Sequence, residues 1–180
     1  MKNRIKNNKN YNPIFILLRF ILILVLILLL DYIYIIFTPL TVTPVAILLK
    51  IIYPEIIHSS NLIINGDKAI LLIPACIAGS AYLLIFILNL SVKMKPLKRF
   101  YSLGFLIISL LFLNIARIFL LGILNFSMPK FFDFTHFFFW FILSTFFVVG
   151  LWLINVRIFK IKEIPVYSDL KYLFNKAKSR

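Results

Sequence analysis

The sequence predicts an all-α polytopic membrane protein, and three observations carry that prediction. The 180 residues are 62% hydrophobic yet bear a net charge of +14, a pairing that soluble domains rarely show. Several apolar runs approach the ~20 helical residues needed to cross a hydrocarbon core of ~30 Å. The Lys and Arg residues fall in short clusters between those runs, as topology signals do. One integral membrane domain over residues 1–180 is expected, with about four transmembrane helices, an outer interfacial helix and a short β-hairpin.

Strong positive charge also suits nucleic acid, but the clusters form no basic groove interleaved with stacking aromatics, so no nucleic-acid partner is expected. The single cysteine excludes an internal disulfide and any cysteine-rich metal site. Two histidines and scattered carboxylates offer no zinc-ligand spacing, so neither a metal nor a cofactor is expected.

Residues 1–12 (MKNRIKNNKNYN) are basic and polar, and the apolar run behind them, broken early by Arg19, predicts a first span over residues 14–37. The run is too long for a signal peptide and no small-residue cleavage site follows, which predicts an uncleaved anchor. Arg19 can snorkel to the inner headgroups. Thr38-Pro39 and Thr43-Pro44 end this helix, because a residue before proline is pushed out of the α region. Residues 45–57 (VAILLKIIYPEII) are apolar but short, and they carry Lys50, Pro54 and Glu55. An interfacial or re-entrant helix on the outer surface is predicted there.

Asn65-Gly66-Asp67, flanked by Leu62-Ile63-Ile64 and by residues 69–73 (AILLI), is a strong β-hairpin signal, since a type I′ turn needs positive φ at both central residues. Pro74 then suits the first position of a helix, where its missing N–H costs nothing, and a second span is predicted over residues 74–92. Cys76 falls in its first turn, near unpaired N–H groups and the positive end of the dipole, where a thiolate becomes available as a nucleophile. Gly79 and Ser80 share that helical face, so the surface beside the sulfur is small and another backbone can approach it.

A basic loop, residues 93–99 (KMKPLKR), leads to a third span over residues 100–124, and the short loop predicts antiparallel neighbours. A fourth span follows over residues 133–155, then a basic tail over residues 157–180. Placing both termini and the loop at 93–99 in the cytoplasm leaves only Lys50, Lys68 and Lys130 outside, which satisfies the positive-inside rule.

Three chemically capable residues then converge at one level. Cys76 begins the second span and His136 the fourth, each ~3–5 Å below its helix start, while Arg117 lies ~8–10 Å below the outer end of the third. Each also has a plain structural reading. A lone membrane cysteine is commonly a small hydrophobe. Arg117 can snorkel outward or pair with Asp31 or Asp133, although an arginine inside a span costs about 2.5–3.5 kcal/mol on insertion scales and is functional by default. His136, in FFDFTHFFFWF, can serve as an interfacial residue among aromatic anchors.

PACIAGSAYLLIF, NIARIFLLG and FTHFFFW resemble, in that order, the three active-site motifs of the exosortase and archaeosortase family, each at the outer end of a membrane helix. The resemblance covers roughly residues 60–150, and its specificity lies in the joint occurrence of the cysteine, Asn-x-x-Arg and the histidine. Many members place the glycine two residues after the cysteine, whereas Ile77-Ala78 precede Gly79 here; many are also longer, which points to the small, archaeal-type end of the family. The resemblance implies a membrane transpeptidase that recognises a C-terminal sorting signal on exported proteins, with Cys76, Arg117 and His136 as its active site.

The residue types suit that chemistry in their own right. A Cys76 thiolate attacks a substrate carbonyl and forms a thioester while the C-terminal piece leaves as an amine. His136 acts as general base and then as acid. Arg117 stabilises the oxyanion or holds the peptide carbonyl. An amine-bearing lipid anchor, or water, then takes the acyl group. Three residues are expected in support: Gly79 beside the sulfur, Asn114 as a hydrogen-bond partner of Arg117 or of a neighbouring helix, and Asp133 as an orienter of His136 or a partner of Arg117. The expected partners are exported proteins with a C-terminal apolar helix and basic tail, together with membrane lipid. A non-catalytic helical membrane subunit, such as a transporter component or assembly factor, is the alternative.

Overall fold

A computed structural model describes residues 13–92 and 94–161, and they are mostly helical (79%). The basic segment 1–12, Lys93, most of the tail 157–180 and the Arg19 side chain lie outside the described residues. Two helices come first, α1 (Pro13–Leu28) and α2 (Leu30–Ile52). Three short strands follow, β1 (Ile57–His58), β2 (Leu62–Asn65) and β3 (Lys68–Leu71). A single turn, α3 (Pro74–Ile77), precedes α4 (Gly79–Ser91) and the long α5 (Pro96–Ser127). The chain then forms α6 (Pro129–Phe138), a π turn (Phe139–Leu143) and α7 (Ser144–Ile158). Leu30–Ile52 and Pro96–Ser127 are long and apolar enough to cross a membrane; Gly79–Ser91 and Ser144–Ile158 are shorter apolar helices.

The central element is α5, which packs against α2, α4, α6 and α7. Its buried residues Ser102, Leu106, Leu110, Asn114, Ile118 and Gly122 recur every four positions, the spacing that keeps one helical face toward a neighbour. Ile108 and Phe112 on the opposite face are largely exposed.

Two predicted boundaries are corrected in α2. Pro39 and Pro44 lie inside the helix rather than ending it, and residues 45–52 form no separate interfacial helix. Val45 and Leu49 are 0% exposed, and α2 makes its most extensive packing with α5. A preference against helix before proline is local, and burial of a continuous apolar face overrides it. The Thr38 hydroxyl donates to Tyr34 O at 2.7 Å, which adds a bond on the turn that Pro39 weakens.

The hairpin forms as predicted but shifted by one residue. Asn65 pairs with Lys68, so Gly66 and Asp67 make the turn. Gly66 has φ +56° and Asp67 is not among the positive-φ residues, the signs of a II′ turn, which places glycine first. The sheet order is β1-β2-β3, antiparallel throughout.

Pro74 begins a helix as predicted, but the predicted second span is interrupted at once. Ala78 adopts φ 62°, ψ 31°, which splits α3 from α4. The strain falls on alanine because the adjacent glycine is committed elsewhere: a Cβ on Gly79 would lie 2.3 Å from the Tyr34 ring. For an L-residue the left-handed region costs about 1–2 kcal/mol, whereas glycine enters it freely at some entropic cost. Ala78→Gly is therefore expected to stabilise the protein by about 0.5–1 kcal/mol, read as a higher unfolding midpoint in detergent. A lower midpoint would show that the Ala78 methyl contributes packing that outweighs the strain.

Candidate active site

Cys76, Arg117 and His136 come from α3, α5 and α6, and all three border one cavity of about 270 Å³. Its wall is completed by the strand and linker from Ala69 to Ile73 and by the C-terminal turns of α5. Each of the three side chains is half-buried.

The break at Ala78 determines what surrounds the cysteine. A helix that ends after one turn leaves its last carbonyls without backbone donors. Two α5 side chains supply them: Arg117 Nη2 donates to Cys76 O at 3.0 Å, and Asn114 Nδ2 donates to Cys76 O at 3.1 Å and Ile77 O at 3.2 Å. The predicted partnership of Asn114 is thus with the cysteine's own backbone rather than with the guanidinium.

The expected dipole at Cys76 is also corrected. α3 has four residues, too few to align a macrodipole, and the Cys76 N–H already donates to Ile73 O at 2.8 Å. The positive group at this residue is the Arg117 guanidinium, which bonds the Cys76 carbonyl.

Arg117 lies farther from the end of its helix than expected, because α5 continues to Ser127, about 15 Å of helical rise beyond it. Cys76 reaches that level because β3 runs beside the last turns of α5. At the top, Lys68 Nζ donates to Phe126 O at 2.6 Å; at the bottom stands the contact between Arg117 and Cys76. The two anchor points on α5 are about 13–14 Å apart by helical rise.

Sequence reasoning did not single out Ser144, yet Arg117 Nη1 donates to its Oγ at 2.7 Å. Ser144 Oγ in turn donates to Phe139 O at 2.7 Å across the π turn, where the backbone bonds also run five residues back. A serine in an apolar helix was the only signal available, and it does not reveal a π turn. Arg117 Nε is buried with no partner among the described residues.

His136 lies in the last turn of α6 rather than the first turn of its helix, because that helix starts at Pro129, a turn earlier than predicted. Rings position it: Phe132 stacks on the imidazole at 5.4 Å and 12°, and Trp140 meets it edge-on at 5.7 Å. Asp133 is exposed; Arg117 donates instead to Ser144 and Cys76 O. Gly79 packs under Tyr34, away from the cavity wall. Among the described residues, no group of three or more His, Cys, Asp or Glu side chains could hold a metal.

Comparison with protein-family models, with curated proteins and with solved structures finds no match to this chain.

Proposed function

We propose that this protein is a multispan membrane cysteine transpeptidase or peptidase, similar to the archaeosortases, that cleaves a C-terminal sorting signal of exported proteins at the outer face of the cell membrane. The observation that carries the reading is the meeting of Cys76, Arg117 and His136, from three separate segments of the chain, on one cavity. Four crossings are proposed: α2, α3 with α4, α5, and α6 with α7. Exposed apolar side chains such as Ile35, Phe112 and Phe146 suit a lipid-facing surface, and the positive-inside rule supports both termini on the cytoplasmic side.

In this chemistry His136 takes the thiol proton and the sulfur adds to the scissile carbonyl, whose oxygen becomes an anion. Arg117 supplies the cation that stabilises it. The C–N bond then breaks, His136 returns the proton to the departing amine, and a thioester remains on Cys76. Attack by an amine on a lipid, or by water, releases the product and restores the thiol.

A non-catalytic helical subunit remains the second reading, and one observation favours it: both Nη groups of Arg117 are already bound to protein acceptors, at Ser144 and Cys76 O. Co-expression with a membrane-anchored candidate substrate separates the two. A tail lost with the wild type but kept with Cys76→Ala supports the peptidase. Equal processing in both would leave the non-catalytic subunit.

A further inference from the structure

β3 is the outer strand of its sheet, and antiparallel pairing uses alternate residues of a strand. Leu72 N–H donates to Asn61 O at 2.8 Å, which fixes the parity: Lys68, Ile70 and Leu72 turn their main-chain groups toward β2. Ala69 and Leu71 therefore turn theirs outward, and no backbone partner reaches that edge among the described residues. Three of the four β3 residues are exposed, and Leu71 is 58% exposed.

The edge also faces the cavity. Successive side chains of a strand alternate between its two faces, so a strand that lined a cavity with one face would contribute every second residue. Here Ala69 to Ile73 line it without a gap, as they do when the strand presents its edge. Ile73 stays extended, with φ −73° and ψ 161°, and hands the chain directly to the turn that carries Cys76.

We propose, resting on the cysteine-peptidase reading above, that the substrate binds as an added β-strand along the free edge of β3, which delivers its scissile carbonyl to Cys76. The occupant is an extended peptide whose main chain answers the N–H and C=O of Ala69 and of Leu71. Edge pairing supplies binding with little demand on sequence, because the bonds are to the backbone, while the cavity reads a side chain. Substrate segments with proline or helix at the paired positions are excluded, since neither offers the required N–H groups.

The test uses the full chain in lipid nanodiscs and a synthetic substrate that keeps its apolar anchor and carries a single N-methyl group at successive residues around the cleaved bond. Pairing along an edge predicts alternation: every second methyl raises KM about five- to tenfold, the loss of roughly one hydrogen bond, while those between leave it within about twofold. Leu71→Pro, which removes an outward N–H, should raise KM similarly. Alkylation of Cys76 at the wild-type rate in that variant reports that the site is folded. An absence of alternation, or a wild-type KM in Leu71→Pro, overturns strand addition while Cys76-dependent cleavage stands. Processing by Cys76→Ala at the wild-type rate would instead remove the peptidase reading and this proposal with it.

Discussion

Cys76→Ala is expected to lower processing of a membrane-anchored substrate by about 10³-fold or more while leaving the protein folded. The two halves of that expectation have separate causes. The Cys76 contacts that hold α3 to α5 are made by its carbonyl, which accepts from Arg117 and Asn114, while its N–H bonds within its own segment to Ile73 O. Truncating the side chain leaves all of them in place and removes only a half-buried sulfur, a change of about 1 kcal/mol. The nearby Ser144 hydroxyl offers no substitute nucleophile, because it is committed to Phe139 O. Cys76→Ser should behave almost as poorly, since a hydroxyl is a far weaker nucleophile than a thiol. Trapping gives the direct check: an acyl-enzyme cleaved by hydroxylamine should accumulate on the wild type and on neither variant. A labelled adduct on Cys76→Ala would place the nucleophile elsewhere.

Asn114→Ala should be the most destabilising truncation to alanine at the site, costing about 2–3 kcal/mol. Asn114 is buried, and its one amide nitrogen serves two carbonyls. Removing it leaves Ile77 O without that donor, whereas Cys76 O keeps Arg117. Asn114→Asp should be worse, because an ionised carboxylate has no donor and faces two carbonyl oxygens. Arg117→Lys isolates the complementary effect. It keeps a charge but loses the planar fork that reaches Ser144 and Cys76 O together, so stability should fall by about 1 kcal/mol and processing by about 10²-fold. Unfolding midpoints in detergent, measured beside turnover, separate the two residues. Equal stability losses for Asn114→Ala and Arg117→Lys would mean that the carbonyls are not held as described.

Much of this arrangement could be read from the chain. Asn65-Gly66 announced the hairpin and Pro74 the turn after it, because both are steric properties of one or two residues. The meeting of Cys76, Arg117 and His136 followed from helix order, since connected helices that reverse direction bring alternate ends to one side. Features that depend on packing were not legible. Pro39 and Pro44 read as helix ends because local rules cannot weigh a buried face that spans both. The break at Ala78 had no signal, as the residue suited to positive φ is its neighbour Gly79, which the Tyr34 ring holds in α4. The roles of Asn114 and Ser144 depend on that break and on the π turn, so they became visible only with the backbone.

The π turn also sets the rotational phase of the last helix. His136 and Ser144 are eight residues apart, which in an uninterrupted α-helix would set them about 80° apart around the axis. One residue absorbed by the wider turn reduces that to about 20°, so the imidazole and the hydroxyl that holds Arg117 share a face. The same slip orients the C-terminal half of α7, where Asn155 Oδ1 accepts from Ser102 Oγ at 2.9 Å and Asn89 Nδ2 donates to the same hydroxyl at 2.8 Å. Deleting one residue between Phe139 and Leu143 would therefore act at both ends of the helix. It would turn either the imidazole away from the cavity or Asn155 away from Ser102, with no cavity-lining residue replaced.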